Sequence, residues 1–251
     1  MIPEDPSSKT EGAGSVFAEG KAGSTCRVSV IVPARNEAGG ISATLDRVVN
    51  NAGSEVLVVD GGSEDNTVDI ARKAGARCLR SAPGRAAQMN AGAVEARGDI
   101  LLFLHADTLL PPDYRDHVES ALAGEGVIAG AFRLAFDDPR LSLRLIASGA
   151  NLRSRYRQLP YGDQALFLRR ETFECLGGFR ELPVMEDYDF VRRLRRRGRV
   201  ALTPAHVKTS ARRWLAHGIW RTTLTHQCMV LGWRLGVSPE RLAAWGGRKR
   251  P

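Results

Sequence analysis

The chain has 251 residues, 43% of them hydrophobic and 25% charged, which is the composition of a globular protein with one large domain or two small ones. No apolar run approaches the roughly 18 residues of a membrane-spanning helix, so insertion across a bilayer is not expected. Four cysteines (Cys26, Cys78, Cys175 and Cys228) stand far apart with no CxxC pair, which argues against a disulfide scaffold and a zinc knuckle and suits reduced thiols in the cytoplasm. The net charge of +8 is uneven: residues 1–150 carry net −5 and residues 151–251 carry net +13. A basic half beside an acidic half points to an anionic partner, whether phosphate, nucleic acid or a lipid surface.

Residues 1–24 are polar, with four acids and no apolar core, and read as a disordered tail rather than a signal or transit peptide. From there the pattern is regular. Residues 28–32 (VSVIV) read as a buried strand closed by Pro33. Ile41, Leu45, Val48 and Val49 follow at helical spacing, and residues 56–59 (VLVV) form a second strand stopped by Asp60-Gly61-Gly62. Ser63 is placed to cap a helix running to Ala74, which Gly75 ends. A third strand over 76–79, an Ala-rich helix over 84–97 and a fourth strand over 100–104 (ILLFL) complete the βαβ units of a mostly parallel sheet.

The second half is less periodic. A helix is expected from Pro112 to Ala123, a strand over 130–136, an Arg-bearing helix over 140–155, and a strand over 166–168. A further helix begins near Glu186, a last one covers 219–235, and residues 241–251 read as a basic tail. One domain is expected over 25–240.

In an open parallel sheet, ligands bind beyond the carboxyl ends of the strands. Three polar clusters fall there: Pro33-Ala34-Arg35-Asn36-Glu37, Asp60-Gly61-Gly62-Ser63 and His105-Ala106-Asp107. No GxGxxG follows the first strand and no GxxxxGK[ST] occurs, which disfavours a dinucleotide-binding domain and a P-loop enzyme. A carboxylate beside a diphosphate is tolerable only with a divalent cation between the two anions, and Asp107 is the candidate ligand for Mn²⁺ or Mg²⁺.

The ordered stretches VSVIVPARNE, VVDGGSEDNT, GRAAQMNAG, ILLFLHADT, YGDQALFLRRETFECLGGF, MEDYDFVRRLRRRG and SARRW resemble the family 2 glycosyltransferases of GT-A fold, over residues 27–240. HADT, YGDQ, MED and SARRW together resemble the radical-SAM/selenodomain-associated or arsenosugar-biosynthesis subgroup. The resemblance implies an inverting hexosyltransferase that uses a UDP- or GDP-sugar and a divalent cation. It also implies a nucleotide-binding half over 25–110 and an acceptor and catalytic half over 111–240.

By the same resemblance Pro33, Ala34, Arg35 and Glu37 pack on the nucleotide, and Asp60 bonds the base, with Gly61 where the family has a second Asp. Gly84, Arg85 and Asn90 stand where a basic segment approaches the nucleotide or its phosphates. Ala106 and Asp107 fall in the family's DxD position, with His105 replacing the first acid. Asp107 is then the metal ligand, and His105 a neighbour that orients it or a second ligand. Asp187 is the expected catalytic base, supported by Glu186, because the acceptor hydroxyl must lose a proton. Arg212, Arg213 and Trp214 are expected at the departing diphosphate, and Asp163 and Gln164 at a sugar or in a turn.

Most of Arg192, Arg193, Arg195, Arg196, Arg197 and Arg199 are expected to face water, with an anionic acceptor or lipid headgroups as the alternative contact. The apolar side chains of the last helix either pack on the sheet or lie on a membrane. The acceptor is expected to be a small molecule or lipid-linked, met in the cytoplasm or peripherally at the inner face of the membrane. The alternatives are a nucleotidyltransferase, which would need a Gly-rich basic first loop, and a basic nucleic-acid or membrane-binding module, which would leave the strand-end acids unexplained. Nucleic acid is therefore not expected as a partner.

Overall fold

A computed structural model describes residues 27–49 and 53–246. The expected tail over 1–24 and the last residues of the expected basic tail lie outside the described residues. β1 (Val28–Ala34) is buried along nearly its whole length, as a continuous β-branched run inside a parallel sheet must be. α1 (Ile41–Asp46) leads to β2 (Ser54–Asp60), α2 (Thr67–Lys73) to β3 (Arg77–Arg80), and α3 (Arg85–Glu95) to β4 (Ile100–Phe103). β1 pairs in parallel with both β2 and β4, and β3 extends the sheet beyond β2. The two faces of β1 feed two cores. Val30 and Val32 pack with Ile41 and Leu45 of α1, while Ile31 packs with Ala86, Met89 and Ala93 of α3.

Beyond β4 the chain continues through β5 (Thr108–Leu109), α4 (Tyr114–Leu122), β6 (Val127–Phe136) and α5 (Leu141–Arg157). A 3₁₀ turn at Gly162–Gln164 precedes β7 (Phe167–Arg169), α6 (Arg170–Cys175) and α7 (Glu186–Leu194). The described chain ends with β8 (Arg199–Thr209), α8 (Arg212–His217), α9 (Ile219–Arg234) and α10 (Pro239–Trp245). The eight strands lie in the order β3-β2-β1-β4-β7-β6-β8-β5. β7 runs antiparallel to β4 and β6, so the sheet is wholly parallel over its first four strands and mixed thereafter.

The pattern expected from sequence misses five elements, β5, α6, β8, α8 and α10. β8 is hidden because Pro204 lies inside it, where the register against β6 slips between Leu202 and His206. A proline at a bulge removes the period-2 signal without ending the strand. The stretch read as a tail from residue 241 begins within α10, whose Leu242 and Ala243 are buried with Met229 of α9. α2 starts at Thr67 rather than after Ser63. Asp65 accepts the Thr67 N–H at 3.0 Å, while the Ser63 hydroxyl accepts the Asn36 N–H.

Candidate active site

The loops after β1 and β2 are tied to each other before they meet any ligand. The Asn36 N–H donates to Ser63 Oγ at 3.0 Å and the Glu64 N–H to Asn36 Oδ1 at 2.8 Å. The Glu37 N–H donates to Thr67 Oγ1 at 2.8 Å, and the Ala38 N–H to Asp65 Oδ2 at 3.1 Å. Asp60 ends β2 buried, its carboxylate accepting the N–H groups of Ser63 (2.9 Å) and Gly62 (3.2 Å). Beside it a cleft of about 250 Å³ opens between Asp60, Ser63 and Arg72 on one side and Cys78 and Arg80 on the other. Half-buried Pro33 and buried Ala34 end β1, and Arg35 after them is exposed.

Gly61 is required by a side chain that sequence reasoning missed. Gln88 of α3 is buried, and its amide donates to the carbonyls of Ala34 and Val59, both at 2.8 Å, which clamps the ends of β1 and β2 together. A Cβ at position 61 would stand 2.9 Å from the Gln88 amide carbon. The helical spacing of GRAAQMNAG could have placed Gln88 on the inward face of α3 beside Met89.

The end of β4 turns through His105, the buried Ala106, whose carbonyl accepts the Thr44 hydroxyl at 2.9 Å, and the partly buried Asp107. The Asp107 carbonyl accepts the Ser210 N–H at 3.0 Å, which joins this turn to the end of β8. Two residues on, Arg212 forms an ion pair with Glu37 at 2.9 Å. Arg213 is exposed, and Trp214 packs edge-on against Phe136 and His226. Three loops far apart in sequence therefore share one rim.

A second cluster adjoins this rim. Arg85, at the first position of α3 after Gly84, donates to His105 Nε2 and lies 3.4 Å from the buried carboxylate of Glu186. A guanidinium can only donate, so it occupies the Nε2 lone pair that His105 would need for a metal there. Asp187 Oδ2 accepts the Gly162 N–H and Oδ1 the Tyr188 N–H, both at 2.7 Å. Gly162 is the node of the cluster: a Cβ there would lie 3.0 Å from Arg85 Nη2, 3.0 Å from Asp187 Oδ2 and 3.1 Å from His105 Nε2.

Asp163 follows in the same turn. The residue as a whole is partly exposed, but its Oδ1 is sealed from solvent without a hydrogen-bond partner. Burial pushes its carboxyl up to about 6, and the nearby Asp187 adds to the rise, against the opposing pull of Arg153 and Arg85. Arg153 itself stacks on Tyr161, 3.5 Å from the ring centre. No sequence signal separated Arg153 from the other arginines of α5.

Two expected contact residues are instead committed to the scaffold. Asn90 donates to the Phe179 carbonyl (2.8 Å) and accepts the Phe179 N–H (2.9 Å), so its amide holds the chain before α7. Gln164 is fully buried, accepts from Ser154 Oγ at 2.7 Å and donates to the Phe132 carbonyl at 3.0 Å. Among the described residues no group of three or more His, Cys, Asp and Glu side chains could hold a metal by itself. Asp107 with substrate oxygens fits Mg²⁺ or Mn²⁺, which commonly take one or two carboxylates plus phosphates and water.

A parallel half with a cleft at its strand ends, joined through a mixed sheet to an acid-bearing half, is the GT-A glycosyltransferase architecture. The profile of glycosyl transferase family 2 matches residues 29–180, and the chain belongs to that family of enzymes. It is 32% identical over 166 residues to the undecaprenyl-phosphate 4-deoxy-4-formamido-L-arabinose transferase of Aeromonas hydrophila, covering 59% of this chain and 51% of that one. It is 28% identical over 169 residues to the glycosyltransferase AglE of Haloferax volcanii, covering 61% and 55%. The chain thus spans about half the length of these relatives.

Two solved structures share the fold. The mannosyltransferase PcManGT of Pyrobaculum calidifontis, in complex with GDP-Man and Mn²⁺, superposes with a TM-score of 0.64 at 24% identity, covering 81% of this chain and 62% of that one. The glucosyl-3-phosphoglycerate synthase of Mycobacterium tuberculosis, solved with Mn²⁺ and UDP, superposes at 0.57 with 21% identity, covering 74% and 71%.

Proposed function

We propose that this enzyme transfers a sugar from a nucleotide diphosphate donor to an acceptor hydroxyl with inversion at the anomeric carbon. The observation that carries the reading is the shared rim. Asp107 is bonded to the segment that leads into Arg212, while Arg85 joins the Asp107 turn, through His105, to Glu186 and so to Asp187. The cleft beside Asp60 takes the base, and Glu37, Arg35 and the backbone around Gly61 take the ribose and phosphates. Asp107 would hold the divalent cation, which when bound offsets diphosphate charge.

Asp187 accepts the proton of the acceptor hydroxyl. Two backbone N–H groups fix both of its oxygens, so its free lone pairs face a set direction. Glu186 pairs with Arg85 and thereby holds the guanidinium at the first turn of α3, where the helix terminus also favours an anion. Arg85, Arg212 and Arg213 stabilise the departing diphosphate.

The motifs HADT, YGDQ, MED and SARRW support the radical-SAM/selenodomain-associated or arsenosugar-biosynthesis subgroup. The Aeromonas relative, named for an undecaprenyl-phosphate acceptor, supports a lipid-linked acceptor met at the inner face of a membrane. Free cysteines at 78, 175 and 228 suit the cytoplasm.

Thermal shifts with UDP-, GDP- and dTDP-sugars, with and without Mn²⁺, identify the donor. With that donor, Asp107→Asn and Asp187→Asn each lose turnover by about a hundredfold or more while the unfolding temperature holds. Normal transfer by both variants sinks the reading, and a product of unchanged anomeric configuration sinks the inversion.

A further inference from the structure

We propose that the outward faces of α5 and α9 dock this enzyme on an anionic lipid bilayer. α5 turns Leu143, Ala147 and Ser154 inward and leaves Leu141, Leu145, Leu152 and Tyr156 exposed. α9 buries Thr222, Met229 and Val230 and leaves Trp220, Leu224 and Leu231 exposed, together with Leu235 that caps its end. In both helices the exposed side chains follow the same i, i+4, i+11, i+15 spacing, which places them in one stripe opposite the buried face. Each of the eight is more than half exposed, and the two helices touch each other. Single exposed leucines are ordinary, but two matched stripes on neighbouring helices are a surface made for an apolar medium.

Charge selects the occupant. α5, α8 and α9 contain no aspartate or glutamate, yet they carry eight arginines. Arg144, Arg155, Arg157, Arg213 and Arg221 among them are exposed. A second copy of this chain would bring arginine against arginine, and an acidic protein partner would leave the leucine stripes against polar surface. Anionic headgroups with acyl chains beneath them satisfy both, by the same division of labour as an amphipathic helix lying in a bilayer interface. Between α9 and α10 a cleft of about 370 Å³ lined by Cys228, Leu231, Leu235, Val237 and Trp245 continues the apolar surface.

The inference deepens the proposed encounter with a lipid-linked acceptor, but it stands on these helices alone. The test is co-sedimentation of the full chain with phosphatidylglycerol-containing vesicles and with pure phosphatidylcholine vesicles, without nucleotide, so that failed docking and failed sugar transfer are told apart. Binding is expected to the anionic vesicles only, weakening as salt rises. The pairs Leu145→Glu with Leu152→Glu and Leu224→Glu with Leu231→Glu should each weaken it about tenfold or more. Val94→Glu, exposed on α3 outside both stripes, should leave it unchanged, and the unfolding temperatures of all variants should match the parent. Equal binding by stripe variants and parent, no binding to anionic vesicles, or stripe-dependent dimerisation without lipid would each overturn the proposal.

Discussion

Asp163→Asn tests the electrostatics beside the proposed base. The Asp163 carboxyl ionises at about 6 in the folded chain, against 3.8 for an ordinary aspartate, because burial strips it of water and Asp187 repels its charge. Between these two pH values the folded state binds more protons than the unfolded one. Stability therefore falls as pH rises through that window and stays low above it. The gap of roughly two pH units corresponds to about 3 kcal/mol at pH 7.5. Asparagine removes the charge at constant shape but keeps a sealed atom short of a partner, so the net gain should be about 1–3 kcal/mol. Denaturant unfolding of parent and variant at pH 7.5 and at pH 4 measures it. The variant should be the more stable at pH 7.5, and the difference should vanish at pH 4, where the parent carboxyl is protonated in the fold. A difference that is the same at both pH values, or a less stable variant at pH 7.5, refutes the reasoning.

Gly162→Ala places a methyl about 3 Å from Arg85, Asp187 and His105 at once, so it should lower turnover about tenfold or more by displacing the base. The thermal shift produced by the nucleotide alone should persist, since the cleft at Asp60 is untouched. Asn90→Ala removes both bonds to the Phe179 backbone and should cost about 1–3 kcal/mol in denaturant unfolding. Nucleotide affinity by titration should be unchanged, because the Asn90 amide serves the scaffold.

The first half of the fold was legible because its strands are buried on both faces and its helices are crossovers, so hydrophobic runs and turn residues coincide with the elements themselves. Asp60, Asp107 and Asp187 were legible as positions, because the runs of β2 and β4 and the start of α7 place them at strand ends and a helix start. Gln88, Arg153 and the commitments of Asn90 and Gln164 were not legible, since an amide that clamps backbone and one that meets a ligand look the same in one dimension. β8 was lost to Pro204, and with it the link that brings Ser210 to Asp107 and Arg212 to Glu37. The rim of the site therefore depends on the one long strand whose period the proline interrupts.

The histidine at position 105 follows from what surrounds it. A carboxylate in that place would face Arg85, which already lies 3.4 Å from Glu186, and two anions would then draw on one guanidinium. Part of the positive charge aimed at a diphosphate would be neutralised before the substrate arrived, and the second acid would need a cation of its own. The imidazole accepts the same hydrogen bond without adding charge, so Arg85 is oriented and remains cationic towards the cleft. In the proposed reaction, phosphate charge would then be offset by a cation held on one acid and by an arginine at a helix start, rather than by a cation held between two acids. It also explains why Gly162 has to lack a side chain. The bond from Arg85 to His105 and the bond from Gly162 to Asp187 pass through the same few ångströms, and a methyl would part Arg85 and His105 from Asp187, the proposed base.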